Sequence, residues 1–128
     1  MKKWIYIIAV LLVACGGKQQ GYRKADDALD AGREYLNACM QGDFSKAAYY
    51  VLPGQENDQI LKYLEKTYRE KDKEGRQQLR TASINISEVK DITDSSTEIH
   101  FNFSFDKWPH VLLVLKRNNA WLVDLGKN

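Results

Sequence analysis

The sequence predicts an α+β domain: three helices packed on one face of a four-stranded antiparallel meander. Two observations carry this. From about residue 25 to residue 75, apolar residues recur at the 3.6-residue helical period, and from Arg80 onward the period changes to 2. Helices therefore come first and strands after, the order expected when helices are segregated to one face of an antiparallel sheet.

The first helix is written in Ala28, Leu29, Gly32, Leu36, Cys39 and Met40, which fall on one face, with Ala25 at its start. Asp26 and Asp27 suit the positive end of its dipole, and Gly42 is a C-terminal stop. Asp43 can cap a shorter second helix whose apolar face is Phe44, Ala47, Ala48 and Val51, ended by Pro53-Gly54. A third helix starts near Asn57, with Ile60, Leu61, Leu64 and Tyr68 as its stripe. The mixed-charge run Arg69 to Glu74 is read as its solvated far end, stopped by Gly75. Ala82, Ile84 and Ile86 then alternate with polar residues, and Asp94-Ser95-Ser96 makes a turn. Ile99, Phe101, Phe103 and Phe105 alternate with His100, Asn102, Ser104 and Asp106, giving one apolar and one wet face. After Trp108-Pro109 come strands Val111 to Lys116 and Trp121 to Leu125, joined by Asn118-Asn119, a pair that tolerates the positive φ of a tight hairpin. A two-residue turn there puts Leu112, Val114, Trp121, Val123 and Leu125 on one face. It puts Val111, Leu113, Leu115 and Leu122 on the other, and so predicts a second apolar face for a partner, either another copy or an envelope protein.

The N-terminus carries an address. Lys2 and Lys3 precede an apolar run from Trp4 to Ala14, too short to span a bilayer and of the form of a secretory signal. Leu12-Val13-Ala14-Cys15 resembles the lipobox of bacterial lipoproteins. That resemblance implies cleavage between Ala14 and Cys15 and a diacylglyceryl group on the Cys15 thiol. The expected organisation is a signal peptide over residues 1–14, a lipidated cysteine and glycine-rich tether over 15–23, and one domain over 24–128. The expected location is the bacterial cell envelope, with the domain held to a membrane by covalent lipid and facing the periplasm, or on the outer membrane, if the cell has one.

The whole chain counts 19 basic and 17 acidic residues; without Lys2 and Lys3 the two signs balance at 17 each. No long-range field is left to gather nucleic acid or anionic lipid, and no nucleic acid is expected as a partner. With Cys15 committed to lipid, Cys39 has no intramolecular disulfide partner and reads as a small buried hydrophobe. No Cys/His spacing suits zinc and no glycine-rich phosphate loop follows a strand, so no metal or cofactor is expected.

The stretch Ala28 to Met40, the break Gly42-Asp43-Phe44-Ser45-Lys46-Ala47, the strands and the final Asn119-Ala120-Trp121-Leu122-Val123-Asp124-Leu125 together resemble small bacterial lipoproteins with a cystatin-like, nuclear-transport-factor-2-like fold. The same broad fold includes ketosteroid isomerase and polyketide cyclases, and for the lipoprotein branch the resemblance implies no settled activity. An isomerase-like site needs carboxylates inside the cavity. The inward side of the best strand is instead Ile99, Phe101, Phe103 and Phe105, while His100 and Asp106 point to water, no acidic cluster flanks His110, and Asp124 reads as a solvated strand end. No catalytic residue is therefore assigned. Tyr35, Tyr49 and Tyr50 are the candidates to rim a pocket between helices and sheet. The reading that follows is a membrane-tethered, non-catalytic binding or interaction module. A small-molecule-binding or isomerase-like enzyme, or an assembly subunit acting through its sheet, are the alternatives.

Overall fold

The computed structural model describes residues 21–127. The signal, the cleavage site and Cys15 therefore lie outside the described residues. The order of elements is α1 (Ala28–Gln41), α2 (Phe44–Tyr49), α3 (Gln55–Glu70), α4 (Lys73–Thr81), β1 (Ile84–Thr93), β2 (Ser96–Phe103), β3 (His110–Arg117) and β4 (Ala120–Val123), closed by a short 3-10 turn, Leu125–Lys127. The sheet is an antiparallel meander in the order β1-β2-β3-β4.

Local chemistry sets the helix ends. The Asp27 side chain accepts the Asp30 amide at 2.8 Å and caps α1. At the other end Gly42 turns left-handed (φ 78°), so that its own amide and that of Asp43 reach back to the carbonyls of Cys39 and Ala38. A side chain at Gly42 would also collide with the Tyr68 ring, 2.6 Å from where its Cβ would stand. Asp43 caps α2 through the Lys46 amide.

The described residues form four helices, not three. The charged run 69–74 is no continuous helical end. Lys71 is extended, and Asp72 accepts the Gly75 amide at 2.7 Å, starting α4 with the glycine inside it. An aspartate two residues after the break captures free amides that the helix dipole would otherwise leave exposed. α4 buries none of its residues fully, so it leaves no apolar stripe for a periodicity argument to find.

The last hairpin forms as the sequence requires. Asn118 (φ 51°) and Asn119 (φ 66°) are both left-handed, which pairs Arg117 with Ala120, Lys116 with Trp121 and Leu115 with Leu122. Leu112, Val114 and Val123 are buried against the helices. Beyond β4, the segment after α2 adds a short parallel bridge, Val51 to Val123, with Leu52 N–H donating to Val123 O at 2.8 Å. β2 is shorter than the alternation suggested. It ends at Phe103, and a turn at 104–106 carries Phe105 out to 38% exposure.

At the amino end, Arg23 makes a two-pronged contact with Asp30 (2.6 and 2.7 Å) and a third to Glu34 (2.8 Å), which also holds Lys46. The guanidinium hydrogen bond holds the Asp30 carboxyl below the usual carboxylate range. Tyr50 Oη donates to Arg23 O at 2.6 Å. Tyr22 and Arg23 thus pack on the domain, Tyr22 against the Tyr49 ring and Arg23 against α1.

Candidate functional site

α1 approaches the sheet closely at its amino half and stands off at its carboxyl half. Ala28, Ala31 and Gly32 let the layers meet, and a Cβ at Gly32 would sit 2.6 Å from Ile99 Cδ1. Farther along, Tyr35, Leu36, Cys39 and Met40 face Phe101, Phe103, His110 and Leu112 across an open cavity of about 790 Å3. Phe44 from α2, Leu64, Thr67 and Tyr68 from α3, Lys71 and Leu79 add to the wall, and Glu98 of β2, paired with His100, is its one carboxylate. This volume lies within the roughly 300–1,000 Å3 of small-molecule sites. The lining is mostly apolar and rich in aromatic rings. Phe44 meets Tyr68 edge-on at 5.8 Å, Phe101 meets Phe103 edge-on at 5.4 Å, and the His110 ring stacks on Phe101 at 5.2 Å.

The polar groups of the cavity are few and mostly neutral. Burial pushes the Tyr35 hydroxyl far up, and the neighbouring Cys39 adds to the effect. Burial likewise pushes the Cys39 thiol up to about 11, partly offset by its hydrogen bond with Tyr35. A thiol held protonated is a poor nucleophile. Tyr68 Oη accepts from Arg80 Nη1 at 3.1 Å, which ties α3 to α4 over the opening. His110 Nε2 is buried without a hydrogen-bond partner and lies 3.6 Å from Asp106 Oδ2, close enough to pair electrostatically when protonated but long for a hydrogen bond.

Of the three tyrosines expected at a pocket rim, only Tyr35 is there, as buried wall rather than rim (4% exposed). Tyr49 and Tyr50 lie elsewhere. Tyr49 is 40% exposed and packs on Tyr22, while Tyr50 is buried with its hydroxyl on the Arg23 carbonyl. Their position at the end of the short α2 and just past it carries them toward Tyr22 and Arg23, not the cavity. Asp124 is not a solvated strand end: it is buried and accepts the Gly126 amide at 3.2 Å. His110 does have an acid beside it, because the turn after β2 folds Asp106 back. Val111, Leu113, Leu115 and Leu122 fall on the outer face as the register demands; Val111 is exposed and the other three half-buried, with Val111 and Leu113 also bordering the cavity.

Sequence reasoning missed Phe44, Leu64, Thr67 and Leu79 as cavity residues, and His110. The signal for His110 was present, since it shares the parity of Leu112 and Val114 and stands four residues after Asp106 across a proline-containing turn. Among the described residues, no group of three or more histidine, cysteine or acidic side chains is placed to hold a metal ion.

Helices covering one face of a curved four-stranded antiparallel sheet, with a cavity between the layers, define a nuclear-transport-factor-2-like α+β fold. The chain is similar to a solved structure described as an NTF-2 like protein of unknown function from Shewanella oneidensis MR-1, with TM-score 0.55 and 16% identity over 77% of this chain and 92% of that one. At that identity the likeness speaks for the fold alone. No protein-family model matches the chain, and no curated protein does either.

Proposed function

We propose that this chain is a lipid-anchored, non-catalytic binding module of a bacterial cell envelope, and that its helix–sheet cavity takes a small, mainly apolar ligand. The observation that carries the ligand reading is the open, aromatic-walled cavity of about 790 Å3. Its deepest polar groups, Tyr35 and Cys39, stay neutral and suit hydrogen bonding to a ligand better than proton or group transfer. The anchor reading rests on Lys2, Lys3, the apolar run and the lipobox-like Leu12-Val13-Ala14-Cys15. Two or more acyl chains on one cysteine give stable attachment where one does not.

The binding experiment uses 1-anilinonaphthalene-8-sulfonate, displaced by a graded series of alkyl and aryl compounds. Wild type should bind saturably at one site, and Thr67→Trp, which fills the cavity wall, should abolish binding without loss of the fold. Equal binding by both proteins would remove the cavity as the site. Intact mass tests the anchor: an unmodified Cys15 in protein from a bacterial host would end that reading.

A second reading, an isomerase-like enzyme, is favoured by one observation, the buried His110 Nε2 beside Asp106. His110→Gln separates the two. A binding module keeps its probe affinity within about twofold, whereas an acid–base catalyst loses turnover by roughly 10²–10⁴-fold. The outer face of β3 and β4 is the proposed contact for a second copy or an envelope protein. Light scattering of wild type against Leu113→Glu and Leu122→Glu tests it.

A further inference from the structure

The loop between β2 and β3 holds the most exposed large apolar side chain described, Trp108 at 71%, with the exposed Phe105 three residues before it and Lys107 between them. These groups are held outward. The amides of Asp106 and Lys107 both donate to Phe103 O at 3.3 Å, and the Trp108 amide donates to Asp106 Oδ1 at 3.1 Å. Lys107 adopts φ 60°, a left-handed turn that a lysine takes only when the surrounding structure sets it. Phe105 stacks on Phe103 at 5.2 Å and 8°, which continues the aromatic wall of the cavity out to the loop. Pro109 and His110, the next residues, border the cavity.

We infer that this loop is a membrane-contact element: Trp108 and Phe105 enter the interface of the bilayer that carries the lipid anchor, with Lys107 among the headgroups. The inference rests on the tethered reading above. Tryptophan favours the membrane–water interface, where its ring finds apolar surroundings and its N–H finds water, and a lysine is drawn to anionic headgroups. A bilayer is favoured over a soluble partner because the proposed anchor at Cys15 keeps one beside the loop at all times. The seven peptide steps from Cys15 to Tyr22 reach about 23–25 Å. The loop lies at the far end of α1 from that exit, and α1, with 14 residues, is about 21 Å long. The loop therefore reaches the same bilayer when the domain lies along it or turns the loop end toward it. With the loop seated, the cavity opens at the interface, where an apolar ligand can pass in without crossing water.

The test is the mature lipidated chain, from Cys15 onward, in vesicles of phosphatidylethanolamine and phosphatidylglycerol, with and without brominated acyl chains. The difference in emission between wild type and Trp108→Ser isolates Trp108 from Trp121. That difference should be blue-shifted, quenched at least twofold by the brominated lipid and protected from aqueous iodide. Lys107→Glu should weaken the quenching, and Tyr63→Ser, which removes an equally exposed aromatic on α3, should not change it. Wild type that floats with vesicles while Trp108 stays open to iodide would overturn the loop contact and leave the anchor standing. Wild type that fails to float would overturn the anchor and this inference with it. A blue shift without bromine quenching would place Trp108 against a second copy instead, and would also overturn the inference.

Discussion

The two halves of the α1–sheet interface differ in side-chain volume, and the difference decides where a ligand can go. At the amino half, Ala31 and Gly32 meet Ile99, Leu112, Val114 and Val123, all buried, and the layers touch, while Ala28 at the very start of the helix borders a second, more polar cleft against β1. At the carboxyl half, Tyr35, Phe44 and Tyr68 face Phe101 and Phe103, and the rings hold the layers apart without filling the space. Small residues at one end and large flat ones at the other turn one helix–sheet contact into a wedge. A packed core and a cavity thus need no separate domains.

The largest expected effect contrasts the closed half with the open one. Phe101 sits at the boundary, 5% exposed, and Phe101→Ala should cost about 3–5 kcal/mol in urea melts. Phe103, which the alternation alone ranks beside it, is only half-buried on the cavity wall. Phe103→Ala should cost clearly less, because both rings border the cavity and less of the Phe103 ring is taken out of water. Equal costs would mean that the cavity is filled in solution.

Next is pH. Burial raises the Cys39 thiol from 9.0 to about 11. In that window the unfolded chain loses its thiol proton first and binds fewer protons than the folded one. Stability should therefore fall as pH rises from about 9 to 11, by at most about 2–3 kcal/mol for this group. Water in the open cavity keeps the effect below that ceiling. Cys39→Ala should reduce the slope, leaving above pH 10 the part that buried Tyr35 contributes with the same sign; an unchanged slope would assign it to other groups.

Helix caps sharpen the comparison further. Asp27→Ala, at the closed end, should cost about 0.5–2 kcal/mol of global stability. Asp72 makes the same kind of cap on α4, but α4 buries none of its residues. Asp72→Ala should barely move the global melt and should instead speed hydrogen exchange in residues 73–81. A full global loss would show α4 to be part of the cooperative core. The smallest effects belong to the wet face of β2: His100→Ala and Asn102→Ala should stay within about 0.5 kcal/mol.

The sequence by itself determined what depends on near neighbours. Helix caps at Asp27 and Asp43, the stop at Gly42 and the Asn118-Asn119 turn are contests among a few adjacent groups, so they can be read from residue type and spacing. Once that turn is known, the face of every residue in the last hairpin follows, because side chains alternate. α4 escaped the pattern because no buried stripe supports it, although its Asp72 cap was readable. Only the tertiary structure decided where the layers part, that Tyr35 lines the gap while Tyr49 and Tyr50 do not, and that the turn after β2 brings Asp106 to His110. Those facts depend on side-chain volumes from α1, α3 and the sheet added across the interface. Periodicity says which face a residue takes, but not how far away the opposite face will stand.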